Sequence, residues 1–260
     1  MVTVNNFSHG LVNPVLGYAV SCLGAFLGLR CVTRAGFHRG QARACWLAMG
    51  ATAIGATGIW AMHFIAMLGF AIPGQEISYN VPITMASMLI AIAVVGIGLF
   101  TVGYGDGGPL PLLAGGLIVG IGVAAMHYLG MAAMVMPDSM SYNGPLFALS
   151  VLIAIVAGTT ALWIGTWVRG IVATTGAALI MGAAVSGMHY TGMAAMHVNA
   201  DRMPGMPGAS GGSFLLPLLL GITLVTFVLA LAISLSPTEA EIREDAEFQR
   251  WLESLQRRAN

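Results

Sequence analysis

The sequence contains no lysine: its ten basic residues are all arginine. A retinal pigment carries its chromophore on a lysine amine, and a Walker-type phosphate loop needs a lysine too, so both are excluded. Charge of either sign is scarce, at 8% of 260 residues, against about 25% in an ordinary soluble domain. The net charge is zero and no basic patch exists, which removes nucleic acid as a partner. Carboxylates are missing from every long apolar run; Glu76, Asp106, Asp138 and Asp201 fall between runs. Proton-coupled transporters and intramembrane metallohydrolases place an acid near the midplane, so neither class fits. The three cysteines, Cys22, Cys31 and Cys45, are an odd number gathered around the first two runs. They read as packing residues and not as a disulfide framework.

Apolar residues make up 57% of the chain. They form runs at roughly 11–30, 44–72, 81–104, 110–136, 145–168, 171–198 and 214–236, separated by proline and glycine. Each run is long enough to cross a hydrocarbon core of about 30 Å. A bilayer obliges each crossing to satisfy its own backbone, so the runs are predicted to be helices. The fold class is therefore all-α, a polytopic membrane protein with seven transmembrane helices and no room for a soluble catalytic domain, and the chain does not read as an enzyme. The first run lacks a basic flank and a small-residue cleavage site, so it reads as a retained helix. Arg30, Arg34, Arg39, Arg43, Arg169, Arg243, Arg250, Arg257 and Arg258 share one side if the N-terminus lies outside, leaving Arg202 alone opposite. The positive-inside rule then predicts N-out, C-in. Tyr79 and Tyr142 at outer ends, and Trp46, Tyr104 and Trp167 at inner ends, suit interfacial aromatic belts.

An internal repeat of two helices organises the chain. Run two carries Ala61-Met62-His63-Phe64-Ile65-Ala66-Met67, run four Ala125-Met126-His127-Tyr128-Leu129-Gly130-Met131, and run six Gly187-Met188-His189-Tyr190-Thr191-Gly192-Met193. Ser78-Tyr79-Asn80 and Ser141-Tyr142-Asn143 each precede an odd run. The architecture predicted is three two-helix repeats plus a seventh helix. Glycines such as Gly50, Gly55, Gly58, Gly115, Gly116, Gly120 and Gly122 allow close helix packing. From Ser236 the character changes. Ser236-Pro237-Thr238-Glu239 is a capping box, and an acidic-then-basic helix with an apolar side follows. That tail, 237–260, reads either as a helix on the inner membrane surface or as a signalling or dimerising helix, which would make the protein a homodimer.

Each of His63, His127 and His189 stands ten residues before Pro73, Pro137 and Asn199, which mark the outer ends of their runs. At 1.5 Å per residue all three share a depth about 14 Å below the outer boundary. An imidazole inside a membrane needs a partner or a wet cavity. One reading is three histidines separately hydrogen-bonded in the core. The other is three imidazoles converging on a metal. Met67, Met131 and Met193 follow at i+4 on the same helix face, and Met134, Met196 and His197 extend that face. All methionines except Met1, Met49 and Met181 fall in the outer half or outer loops. Methionine also fills irregular interfaces, but imidazole with thioether and no carboxylate selects copper, particularly Cu(I). Zinc does not need the methionines, and bis-histidine haem suits three helices less well. Met62, Met126 and Met188, about 100° round from each histidine, would reach a metal only across a helix interface. Tyr128 and Tyr190 are accessory candidates.

At these residues the sequence resembles the MHYT family of bacterial integral membrane sensor domains, named for a thrice-repeated Met-His-Tyr-Thr. Met188-His189-Tyr190-Thr191 spells the motif in full, Met126-His127-Tyr128-Leu129 departs at its last position, and Met62-His63-Phe64-Ile65 at its last two. The resemblance implies a seven-helix sensor domain over 1–236, with 237–260 as a cytoplasmic tail, in the bacterial inner membrane. It also implies a copper site near the periplasmic face and a diatomic gas ligand, oxygen, carbon monoxide or nitric oxide, arriving from the periplasm. A cytoplasmic signalling partner would receive the output. The alternative is a copper transporter or channel with Met85, Met134, Met196, His197, Met203 and Met206 as an outer intake path.

Overall fold

The computed structural model describes residues 4–73, 75, 77–105, 108–136, 139–199 and 209–237, together with 247, 248, 250, 251 and 256. Seven helices are long and apolar enough to cross a membrane: α1 (Val12–Ala35), α2 (Gly40–Met67), α3 (Val81–Tyr104), α4 (Pro109–Ala132), α5 (Gly144–Trp167), α6 (Ile171–Ala195) and α7 (Gly211–Leu235). Among the described residues the chain is a seven-helix membrane protein, as its sequence leads one to expect.

Local chemistry starts the odd helices. The Asn80 side chain accepts from the Ile83 amide, and Asn143 accepts from Leu146 in the same way, each with proline in the first turn. α1 packs on α2, α2 on α3, α3 on α4, α4 on α5, α5 on α6, and α6 back on α1, so six helices close a ring. The outer ends of α2, α4 and α6 meet at its centre, while α7 lies outside against α1 and α2. Apolar side chains that face away from this core, such as Leu113, Leu117 and Ile121 on α4 and Leu220, Leu224 and Phe227 on α7, stay exposed. That is the surface hydrocarbon lipid requires.

Glycine sets the spacing of the ring. A Cβ at Gly55 would sit 2.8 Å from the carbonyl oxygen of Ala91, so α2 and α3 touch there along their backbones. At the same place α2 is wound as a π-helix from Ala53 to Ala61, ending directly before Met62 and His63. Such wide turns are uncommon and concentrate at functional positions.

Short antiparallel strands cap the outer end: β1 (Ser78–Tyr79), β2 (Met134–Val135), β3 (Ser139–Tyr142), β4 (Met196–Asn199) and β5 (Ala209–Ser210). β1 pairs with β2 and β5, and β3 pairs with β4. Asn5 bridges Ala71 in the same manner. In all three repeats the segment entering the odd helix therefore pairs with the segment leaving the even one. These pairings end the even helices early. The Asn80 amide donates to Ala133 and the Asn143 amide to Ala195, both at 2.8 Å.

Four expectations change. The even helices stop at Met67, Ala132 and Ala195, four to six residues after their histidines and not ten, so the triad lies about 6–9 Å from the helix ends. Met134, Met196 and His197 leave the helical face altogether and sit in β2 and β4. Tyr79 is 3% exposed, packed inward and not in a headgroup belt. The run of α2 begins at Gly40, closer to α1 than its hydropathy suggested. The capping box beyond Pro237 and most of the tail 237–260 lie outside the described residues.

Candidate metal centre

The repeat places one histidine on the inward face of each even helix, and closure of the ring brings the three together. Nδ1 of His63 lies 3.0 Å from Nδ1 of His189 and 3.1 Å from that of His127; the third side of the triangle is 3.3 Å. The rings stand nearly perpendicular to one another, at 82°, 82° and 88°. All three are fully buried.

These nitrogens cannot satisfy one another by hydrogen bonding alone. A neutral imidazole has one donor nitrogen and one acceptor nitrogen. A proton on one Nδ1 serves the other two only as a shared donor, and a second proton would face the first. The outward nitrogens give no relief, because Nε2 of His63 and of His127 are buried without a partner among the described residues. A cation among the three Nδ1 atoms removes the conflict by taking three lone pairs. The centre of the triangle is about 1.8 Å from each nitrogen, near the ~2.0–2.1 Å of an imidazole–metal bond. The residues present therefore fit a metal ion. They depart from common sites in one respect: ligating imidazoles usually donate the second N–H to a carboxylate or carbonyl. Here the Nε2 edge of His63 rests on Gly130, and that of His127 on Gly192. Gly130 and Gly192 hold the same place in successive repeats, and neither has room for a Cβ.

Three aromatic spokes run outward from the triad. His63 meets Phe64 edge-on at 4.8 Å, and Phe64 meets Tyr79 at 5.9 Å. His127 leads to Tyr128 at 4.9 Å and on to Tyr142 at 5.3 Å. His189 leads to Tyr190 at 4.9 Å and on to Phe7 at 5.7 Å. Phe7, Tyr79 and Tyr142 each precede an odd helix of the next repeat in the ring, so the spokes lock the strand layer to the imidazoles. Burial raises the phenol pKa of Tyr79, and burial followed by the neighbouring Tyr128 raises that of Tyr142.

The ten candidate methionines and tyrosines, and His197, divide by position. Met67, Met131 and Met193, with Met62, Met126 and Met188, are buried on the histidine-bearing helices. The Met62 side chain lies against Gly17 of α1, and Met188 lines a cavity on the side of the triad that faces the π-helical stretch. Met134 and Met196 are buried in the strand layer, and His197 is half-buried there opposite Ser141. The Tyr128 hydroxyl is engaged with Ser150 at 2.6 Å, whereas that of Tyr190 is buried without a partner among the described residues. Sequence reasoning missed Gly130 and Gly192, although their recurrence three residues after the histidine was the available signal. It also missed Tyr79 and Tyr142 as parts of the spokes.

The family described as "MHYT: Bacterial signalling protein N terminal repeat" matches three times, at residues 57–115, 120–179 and 182–243. The chain is similar to the bifunctional diguanylate cyclase/cyclic di-GMP phosphodiesterase MucR of Pseudomonas aeruginosa, 35% identical over 91% of this chain and 35% of the relative. It is similar to the cyclic di-GMP phosphodiesterase NbdA of the same organism, 40% identical over 73% of this chain and 24% of the relative. The signaling protein YkoW of Bacillus subtilis is 28% identical over 75% of this chain and 24% of its own length. The chain thus spans about a third or less of the curated relatives it matches. No solved structure matches it.

Proposed function

The chain belongs to the MHYT family of bacterial signalling repeats, and from that premise we propose that it is a membrane sensory module whose buried imidazole triad holds copper. The triangle of Nδ1 atoms carries the reading. His63, His127 and His189 would hold the ion, with the thioethers of Met67, Met131 and Met193, and across helix interfaces Met62, Met126 and Met188, as the soft donors nearest in sequence. Imidazole and thioether without carboxylate favour copper over zinc or haem. Bound copper would supply an open, soft coordination position for oxygen, carbon monoxide or nitric oxide.

The protein's own part is to fix the imidazoles, keep bulk water away and carry displacement. The spokes resist tilting of the rings. The π-helical stretch directly before Met62 and His63 is a departure from regular helix of the kind found at functional positions. It touches the last helix through Thr57 and Thr226, whose hydroxyls are 2.7 Å apart. α7 leads to Ser236, and the segment 237–260 is assigned to the cytosol as the contact to a signalling partner. The names of MucR and NbdA point to cyclic di-GMP turnover as the process served. The module itself is read as non-catalytic. Aliphatic side chains dominate the cytosolic side of the triad, which supports sensing over passage of a copper ion.

Elemental analysis of purified wild-type protein and of His127→Ala tests the site. Copper near one equivalent in the wild type, lost in the variant, is the expected result. Copper-free protein with an intact fold in both would end the reading.

A further inference from the structure

Ile59, Val123 and Val185 stand four residues before the three histidines, one turn toward the cytosolic end on the same helix faces. All three line a cavity of about 60 Å³ to which all six helices of the ring contribute. Leu29 of α1, Val95 of α3 and Gly158 of α5 contribute from the odd helices. Every lining residue is aliphatic, a glycine or a methionine. A water molecule held indoors needs two to four polar partners, and this wall offers no polar side chain.

The cavity follows from unequal repeats. α3 and α5 correspond at an offset of 63 residues, as their capping asparagines Asn80 and Asn143 and their buried serines Ser87 and Ser150 show. At that offset Val94 and Val95 of α3 become Ala157 and Gly158 of α5. The third repeat therefore puts less hydrocarbon into this part of the bundle.

The same thinning opens a way in. A groove on the lipid-facing side of α5 and α6 is bordered by Leu152, Val156 and Ile180, each more than half exposed. Its floor includes Ala157, Ala161, Met181 and Ala184, and those four residues also line the cavity. The methyl groups of Ala157, Ala161 and Ala184 and the flexible thioether chain of Met181 thus stand between this groove and the cavity.

We propose that this cavity binds a small uncharged apolar molecule of diatomic size, which reaches it laterally from the hydrocarbon of the bilayer between α5 and α6. The walls accept nothing charged or hydrogen-bonding, and an apolar solute concentrates in the phase the groove faces. This route differs from the periplasmic approach expected from the sequence. That the occupant then acts on the triad rests on the sensory reading above; its binding does not.

Xenon is a suitable probe, because dry apolar cavities take it up. Xenon NMR of the full chain in lipid nanodiscs should show a saturable bound signal absent from empty nanodiscs. The signal should persist in His127→Ala and vanish in Ala161→Phe. Should the phenylalanine disrupt folding, Ala157→Val gives the residue α3 already carries at that position, and xenon binding should weaken severalfold. A wild type indistinguishable from empty nanodiscs, or a signal untouched by a well-folded filling variant, overturns the proposal. Copper-free protein that binds xenon would remove the metal reading alone, and copper-loaded protein without bound xenon would remove this one alone.

Discussion

Gly192 of α6 lies against the Nε2 edge of the His127 ring, with no space for a methyl group between them. One repeat earlier Gly130 meets His63 in the same way. Two of the three imidazoles, those of His63 and His127, are therefore braced from behind by the backbone of a neighbouring helix, where metal ligands more often have a hydrogen-bond acceptor. Gly192→Ala should push the His127 ring off its position. The expected stability loss is about 1–3 kcal/mol, the usual cost of overpacking. Metal affinity should fall ~10–100-fold, the usual effect of disturbing a ligand's support. Competition titration with a copper chelator measures it. Unchanged affinity would mean that the glycine serves helix packing alone.

A second prediction concerns the tie between the π-helical stretch and the last helix. The Thr226 hydroxyl lies 2.8 Å from the Ile222 carbonyl and 2.7 Å from the Thr57 hydroxyl. Thr226 has one proton to give, and it goes to the carbonyl, so Thr57 is the donor of the pair. Thr226→Val leaves that donor buried without an acceptor. Such interhelical bonds in membranes are worth about 0.6 kcal/mol on average and ~1.7 at most, so the loss should lie in that range. Adding Thr57→Val should recover part of it, since both partners are then apolar. Denaturation midpoints of the two single variants and the double variant complete the cycle. Strict additivity would show that the hydroxyls do not interact.

Seven spans and a histidine triad were legible in the sequence because both are written three times. The motif repeats on every second apolar run, and helices of similar length carry matching positions to similar depths. The helix ends were not legible. Ala133 to Met136 are apolar, Met196 and Val198 flank His197, and both stretches are compatible with either helix or strand. What decides is the incoming segment before the next odd helix, whose Asn80 and Asn143 amides capture the Ala133 and Ala195 carbonyls. That partner is distant in the chain, so local pattern extended the helices and put Met134, Met196 and His197 on a face they do not occupy. The π-helix was equally hidden, since it answers to Gly55 and Gly58 fitting against α3 and α1.

Alkaline stability provides a third prediction. Tyr79 is buried in the strand layer against Phe64, and burial raises its phenol pKa above the ordinary value of about 10. The unfolded chain then loses this proton first as pH climbs. Above pH ~10 the unfolded state holds fewer protons than the folded one, so stability contributed by the neutral phenol is complete below that pH and declines above it. Tyr79→Phe should flatten the decline. Unfolding midpoints between neutral and strongly alkaline pH compare the two. An equal decline in both proteins would assign the alkaline limit to other groups, with the half-buried Tyr142 the next to replace.

The fourth prediction concerns Arg34, at the opposite end of the molecule from the triad. It sits in the last turn of α1, 6% exposed. One arm of its guanidinium donates to the Ile233 carbonyl at 2.7 Å and the other to the Pro237 carbonyl at 2.6 Å. Its charged head lies 5.4 Å from the Trp46 ring. Helix C-termini leave carbonyls without intrahelical donors and attract positive charge, so one side chain from the first repeat closes the inner end of α7 just where the chain leaves the bundle. A lysine keeps the charge but cannot hold two carbonyls in a planar fork while stacking on an indole. Hydrogen bonds to a charged group are worth about 1.5–3 kcal/mol, and Arg34→Lys should forfeit a large part of that locally. Amide exchange over the last two turns of α7 should speed up, and cleavage by added protease after Ser236 should become easier. Copper content should stay at the wild-type level, because the triad lies across the membrane. If exchange at the α7 end is unaltered in Arg34→Lys, the fork is not what fixes the exit of the last helix. If copper is lost as well, the two ends of the bundle do not fold independently of one another.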